Sequence, residues 1–259
     1  MKTITIITIS FFLAVTVMAI TPENRGLEIA QEAERVDNGW GSSSNSLTMT
    51  LTNRNGQQTT RQMHGTSMEV ENDGDKSTII FDTPKDVKGT ASMTFTHKVG
   101  DDDQWLFLPA LQRVKRIASS NKSGPFMGSE FAFEDLSSQE VEKYTYKYLS
   151  DEKANGEDCF KIERYPVSST SGYTRNIVWV NKSNYRPEKI EFYDRKNTLL
   201  KTLIYSEYRQ YLTKYWRADT MKMVNHQNGK QTLLKFSEVK FGINLTDEDF
   251  SQNALKRAK

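Results

Sequence analysis

Three histidines, one cysteine and a few charge clusters are the side chains with which this sequence could do chemistry. A zinc site needs ligands spaced so that two converge from one turn or one strand face. His64, His97 and His226 stand far apart, and none has a histidine or cysteine two or four residues on. All three read as solvent-exposed sheet-face side chains, so no metal ligand is expected. Cys159 sits in the run Asp158-Cys159-Phe160-Lys161-Ile162, where a free thiol reads as a small buried hydrophobe, and no histidine partner stands ready to activate it. Asp101-Asp102-Asp103 lacks the spaced ligands of a calcium loop and reads as a solvated turn. The sequence has no Gly-x-Ser-x-Gly elbow, no phosphate loop ending in Gly-Lys, and no Gly-x-Gly-x-x-Gly. No catalytic residue and no cofactor is therefore expected.

Composition narrows the class further. The chain has 259 residues, 36% hydrophobic and 26% charged, with 14 Gly and 6 Pro, which is globular and neither collagen-like nor low-complexity. Lys plus Arg number 35 against 33 Asp plus Glu, a formal charge of +2, so no global field favours nucleic acid. A lone cysteine rules out a disulfide scaffold.

The N-terminus points to export. Met1-Lys2 is a short positive start, Ile4 to Met18 is uncharged and largely apolar, and Val17-Met18-Ala19 is a small-residue cleavage pattern. The apolar run is short for a spanning helix, and no cysteine follows the cleavage point for lipid attachment. Residues 1–19 are expected to be a signal peptide, and 20–259 a single domain working outside the cytoplasm.

Periodicity then places the elements. Thr21-Pro22-Glu23 starts a helix, along which Leu27, Ala30, Ala33 and Val36 recur at helical spacing until Asn38-Gly39 stops it. From Ser46 the period becomes two, with Leu47, Met49 and Leu51 facing one way and threonines the other. Similar runs follow at 77–82, 91–98, 104–108 and 111–117, and again at 141–149, 158–165, 174–180, 187–193, 199–211, 215–224 and 231–241. Asn55-Gly56, Asn155-Gly156 and Asn228-Gly229 are hairpin signals, and the loops are too short for helical crossovers. Leu245 to Lys259 predicts a short terminal helix. The predicted fold is mainly β: a curved antiparallel sheet of about eleven to thirteen strands forming a half-open barrel, its mouth covered by N-terminal and lid helices.

The stretch from Ser119 to Leu136 breaks the pattern. After Ser-Asn-Lys-Ser-Gly-Pro loop chemistry come Phe126, Met127, Phe131, Phe133 and Leu136, off the strand ladder. They read either as a plug that completes the core or as a lid over a ligand cavity. Nearby, Arg113, Lys115 and Arg116 form a basic cluster on one strand, suited to an anionic head group or an acidic partner surface.

The run Trp105-Leu106-Phe107-Leu108-Pro109-Ala110-Leu111-Gln112-Arg113-Val114-Lys115-Arg116-Ile117, with Phe126-Met127-Gly128-Ser129-Glu130-Phe131-Ala132-Phe133-Glu134-Asp135-Leu136 after it, resembles the outer-membrane lipoprotein-sorting proteins related to LolA. The resemblance implies a periplasmic half-open barrel holding acyl chains or another lipid, working beside an inner-membrane exporter of the resistance-nodulation-division type. It implies only transient contact with membranes.

On that reading the chain is a non-enzymatic carrier or chaperone for a lipid or for lipoprotein acyl chains. Alternation suggests Met93, Phe95, Ile177, Trp179, Ile190, Phe192, Met221 and Met223 as cavity walls. Phe126, Met127, Phe131 and Phe133 would be the lid, and Arg113, Lys115 and Arg116 the head-group or partner contact. The competing reading is an adaptor whose filled barrel docks on an envelope transporter and carries nothing.

Overall fold

Thr21 and Pro22 open the first helix as their chemistry requires. In the computed structural model, which describes residues 20–257, α1 spans Pro22–Asp37, and Thr21 Oγ1 accepts the Asn24 amide at 3.2 Å. The expected signal peptide, residues 1–19, lies outside the described residues. The buried stripe of α1 is Gly26 and Ile29, with Ala30 and Ala33 half-buried beside them. Leu27, the first position of the predicted stripe, is instead exposed. The helix lies against an edge strand, and the close approach falls at Gly26, which the apolar pattern does not mark.

Thirteen strands follow. They are β1 Ser42–Thr52, β2 Gln58–Met68, β3 Lys76–Thr83, β4 Ala91–Phe95, β5 Asp103–Leu108 and β6 Arg113–Ile117 in the first half. The second half holds β7 Tyr144–Ala154, β8 Glu157–Pro166, β9 Tyr173–Asn181, β10 Pro187–Asp194, β11 Leu199–Tyr211, β12 Tyr215–Asn225 and β13 Gln231–Phe241. A short helix, α2 Gln252–Arg257, ends the described chain. All strands join one antiparallel sheet, ordered β6-β5-β4-β3-β2-β1-β13-β12-β11-β10-β9-β8-β7. Two meanders thus meet where β1 pairs with β13. The hairpin signals act as expected: Asn155 and Gly156 both take positive φ, 53° and 86°, as a mirror-image two-residue turn needs.

β2 is the strand that the hydrophobic pattern passes over. Its sequence, Gln-Thr-Thr-Arg-Gln-Met-His-Gly-Thr-Ser-Met, offers Met63 as its one fully buried large side chain. The Asn55-Gly56 turn already demands a partner for β1, and β2 supplies it over eleven residue pairs.

The ladder stays open, with β6 and β7 as unpaired edges. An exposed edge is a pairing hazard that charge or cover can blunt. α1 covers β7, while β6 presents Arg113, Lys115 and Arg116, all exposed. The ends of the sheet meet through side chains instead of strand pairing: Lys143, just before β7, forms an ion pair with Asp102, just before β5. The acidic turn is therefore engaged rather than solvated, since Asp103 also pairs with Arg116 and with His97. His97 is tied between Asp73, at 2.8 Å, and Asp103.

The main core lies on one face of the sheet and joins Leu47, Met49, Met63 and Phe81 to Ile162, Val178, Ile190, Phe192, Leu203, Met223 and Leu234. A second cluster on β4 and β5, with Ala91, Met93 and Phe107, is sealed by Phe250 and Leu255 from the C-terminal segment. The lid expected around Phe126 to Phe133 is built of one-turn 3₁₀ elements, Phe126–Gly128 and Phe133–Leu136, and Val141–Lys143, expected to open a strand, is a further one before β7.

Candidate functional site

Between α1 and the inner face of the second meander lies a cavity of about 1310 Å³. Sites for small molecules commonly measure roughly 300–1,000 Å³, so this space exceeds what a compact metabolite needs. Its apolar wall is dictated by strand register. Ile162 on β8 stands opposite Val178 on β9, and Val178 opposite Ile190 on β10, so all three project to one face. Val180, Met221 and Phe236 extend that wall. At the mouth, Arg217 pairs with Asp37 at 2.5 Å and Lys214 donates to the Asn38 carbonyl at 2.6 Å, tying the end of α1 to β12.

Acidic groups line the mouth. Burial pushes the Asp75 carboxyl up to about 6, against hydrogen bonding from Ser138, and nearby Glu69 and Asp37 add to the rise. Burial likewise raises Glu140 to about 7, helped by Asp75 and Glu34 and opposed by Lys98 and Lys143. Glu34, Glu140 and Glu142 bring carboxylate oxygens within 4.8 Å of one another, a set that could ligate a hard cation. Lys98 Nζ, 3.5 Å from Glu34, already supplies positive charge there.

Arg164 on β8 is 7% exposed and also lines the cavity. Its Nη2 donates to Gln139 Oε1 at 2.6 Å and its Nε to Asn176 Oδ1 at 3.3 Å, while the Tyr144 ring lies 4.3 Å from its Cζ. Below it the plug begins. Phe126, fully buried, packs on Phe81 and Phe133 with ring centroids 5.9 and 5.5 Å away. Lys201 Nζ holds the plug through the Glu130 carbonyl at 2.9 Å and Asp135 Oδ2 at 2.6 Å.

A family model described as an uncharacterized protein matches residues 73–257. Among solved structures, an outer membrane lipoprotein-sorting protein domain from Vibrio parahaemolyticus is 56% identical, with 91% of this chain and 100% of that chain covered and a TM-score of 0.89. The chain belongs to the family of outer-membrane lipoprotein-sorting proteins. A DUF1329 family protein from Desulfovibrio piger is 29% identical over 91% of this chain and 99% of its own, with a TM-score of 0.85. A LolA superfamily protein from Nitrosomonas europaea has the same fold at 21% identity, with 91% and 100% covered and a TM-score of 0.70. A search of curated proteins finds no match.

In this lipoprotein-sorting family member the wall residues singled out from sequence fall into four places. Ile190 and Met221 line the cavity. Phe192 and Met223 face the same way but are packed into the core beneath it. Met93 and Phe95 face the opposite side, under Phe250 and Leu255, and Ile177 and Trp179 cluster with Cys159 beneath Lys161 and Lys189. These four do not wall the cavity. β4 and β9 are buried on both faces, so alternation could not tell inner from outer.

The proposed lid residues also lie elsewhere. Phe126 and Phe131 are buried in the main core, with Met127 and Phe133 packed against it, and none of the four lines the cavity. They form a fixed plug rather than a cover, pinned by Gln104 to the Phe133 carbonyl at 2.8 Å and by Asn225 to Glu130 at 2.7 Å. Arg113, Lys115 and Arg116 sit on edge strand β6, remote from the cavity lining. Arg164, Tyr205 and Phe236 were not singled out from sequence. The available signal was Arg164 itself, a charge sharing the strand face of Phe160 and Ile162.

Proposed function

We propose that this chain is a periplasmic carrier that shelters the acyl part of a lipid or lipoprotein in the cavity under α1, without a catalytic step. The observation that carries the reading is a cavity of about 1310 Å³ with one apolar wall, in a fold shared with a lipoprotein-sorting protein domain at 56% identity. An acyl chain entering it exchanges water for dispersion contacts with Ile162, Val178, Ile190, Met221 and Phe236. The apolar, uncharged N-terminal run fits export, and the periplasm is where such carriers work. Pairing with an inner-membrane exporter rests on the family resemblance alone.

Val178→Trp tests the reading, because the added ring fills the space without adding charge. A fluorescent acyl probe should bind the parent protein and be lost from the variant, while Trp fluorescence and thermal unfolding report an intact fold. Equal probe binding by both proteins would move the ligand out of this cavity and sink the proposal.

A further inference from the structure

Six cationic side chains line the cavity: Arg35, Lys98, Arg164, Arg186, Lys214 and Arg217. Four are neutralised by carboxylates, namely Arg35 by Glu32, Lys98 by Glu34, Arg186 by Glu188 and Arg217 by Asp37. Lys214 is exposed to water. Arg164 alone is buried and makes no ion pair among the described residues; its acceptors are the neutral amides of Gln139 and Asn176.

The same row of the sheet shows how this fold treats a buried cation when the counter-charge is internal. Register places Tyr146, Arg164, Asn176, Phe192, Lys201 and Asn225 side by side across six strands. Lys201 in that row receives a dedicated carboxylate, Asp135, with both side chains 4% exposed. Arg164 receives none, although a buried charge without a counter-charge is costly. Its plane is held by the Tyr144 ring and by two hydrogen bonds, which use two of five N–H donors and leave the remaining three free for an oxyanion. The neighbouring phenols of Tyr146 and Tyr205 are kept neutral by burial. A planar, always-charged fork set in an apolar wall is the geometry that recognises a carboxylate or phosphate oxygen pair.

We propose that the ligand of this cavity is an amphiphile with an acidic head group, and that Arg164 seats that head while the chain lies along Ile162, Val178 and Ile190. This rests on the carrier reading and specifies its ligand class.

The test compares ligands that differ only at the head. Delipidated mature protein is titrated at pH 8 with palmitic acid, hexadecanol and hexadecyl phosphate, by displacement of a neutral fluorescent acyl probe. The carboxylic acid, the alkyl phosphate or both should bind about tenfold or more tighter than the alcohol, the expected gain for hydrogen bonds to a charged partner. Whichever of the two binds tighter identifies carboxylate or phosphate as the native head. Arg164→Gln should remove the preference and leave hexadecanol within about twofold, and Arg164→Lys should restore part of it. Affinity for both acidic ligands equal to that for the alcohol in the parent protein overturns the head-group assignment while leaving the carrier reading standing, and needs no variant to fold. A preference that survives in a folded Arg164→Gln variant overturns the role of Arg164. Failure of every chain to displace the probe, or of the probe to bind, overturns the carrier reading itself.

Discussion

Gly26 on α1 rests directly on the backbone of Lys147 in edge strand β7: a β-carbon at position 26 would stand 2.8 Å from Lys147 N, Lys147 C and Tyr148 N. The contact sets how closely the helix lies on the sheet edge, and with it the roof of the cavity. Backbone cannot yield as a flexible side chain can, so Gly26→Ala should force α1 outward. The helical preference of alanine is worth about 1 kcal/mol and does not offset overpacking of about 1–3 kcal/mol. Urea unfolding should show the loss, and amide exchange of residues 22–37 should accelerate relative to β9 and β10. Unchanged exchange in α1 would contradict this packing.

The plug makes a different demand. Phe126 is wholly buried between Phe81 and Phe133, so Phe126→Ala should cost about 3–5 kcal/mol in urea unfolding, with or without bound ligand. A mobile lid would behave in the opposite way, losing ligand retention with little change in stability.

Lys201 and Asp135 share one buried site, and Asp135 also accepts from Tyr173 at 2.8 Å and from the Ala132 amide at 2.6 Å. Lys201→Met strands that carboxylate and should cost about 3–5 kcal/mol. The double variant Lys201→Met with Asp135→Asn should recover much of the loss, and denaturation of all three proteins checks it. Additive losses would show that the pair is not coupled.

Stability should fall as pH rises through neutrality. Asp75 and Glu140 have carboxyl pKa values raised to about 6 and about 7, so the folded chain holds protons that the unfolded chain releases above the ordinary carboxylate range. Between those limits each step up in pH favours unfolding. His97 acts in the same direction: hydrogen bonding to Asp73 raises it above 6.5, with Asp103 adding and burial opposing. Its contribution is whole below pH 6.5 and lost as pH climbs past its folded value. Asp73, held down to about 2 chiefly by His97, sets the acid side, where stability is lost as pH drops below its unfolded value. Glu140→Gln should raise the unfolding free energy at pH 8, by an amount on the order of 2 kcal/mol, and leave it nearly unchanged at pH 4.5, as urea unfolding at the two pH values would show. A variant no more stable than its parent at pH 8 would contradict burial as the cause.

Much of this architecture is written locally. Thr21, Pro22 and the Asn-Gly pairs act through their own backbone preferences, so the start of α1 and the hairpins follow from short stretches of sequence. β2 does not, because its eleven residues bury little and are held by pairing with β1 and β3 on either side. The cavity is less legible than the fold for a related reason. Period-two alternation reports two faces but not which is inner, and on β9 both are buried: Ile177 and Trp179 under lysine stems, Val178 and Val180 in the core. Arg164 is recognisable only once Asn176, Gln139 and Tyr144 are seen around it, and these come from three separate segments.

Native mass spectrometry of the protein purified from its own envelope, with solvent extraction of any bound mass, tests the carrier account most directly. The account predicts a stoichiometric adduct of lipid mass that is lost in Val178→Trp. An empty protein that also fails to take up envelope lipids when offered them would contradict it.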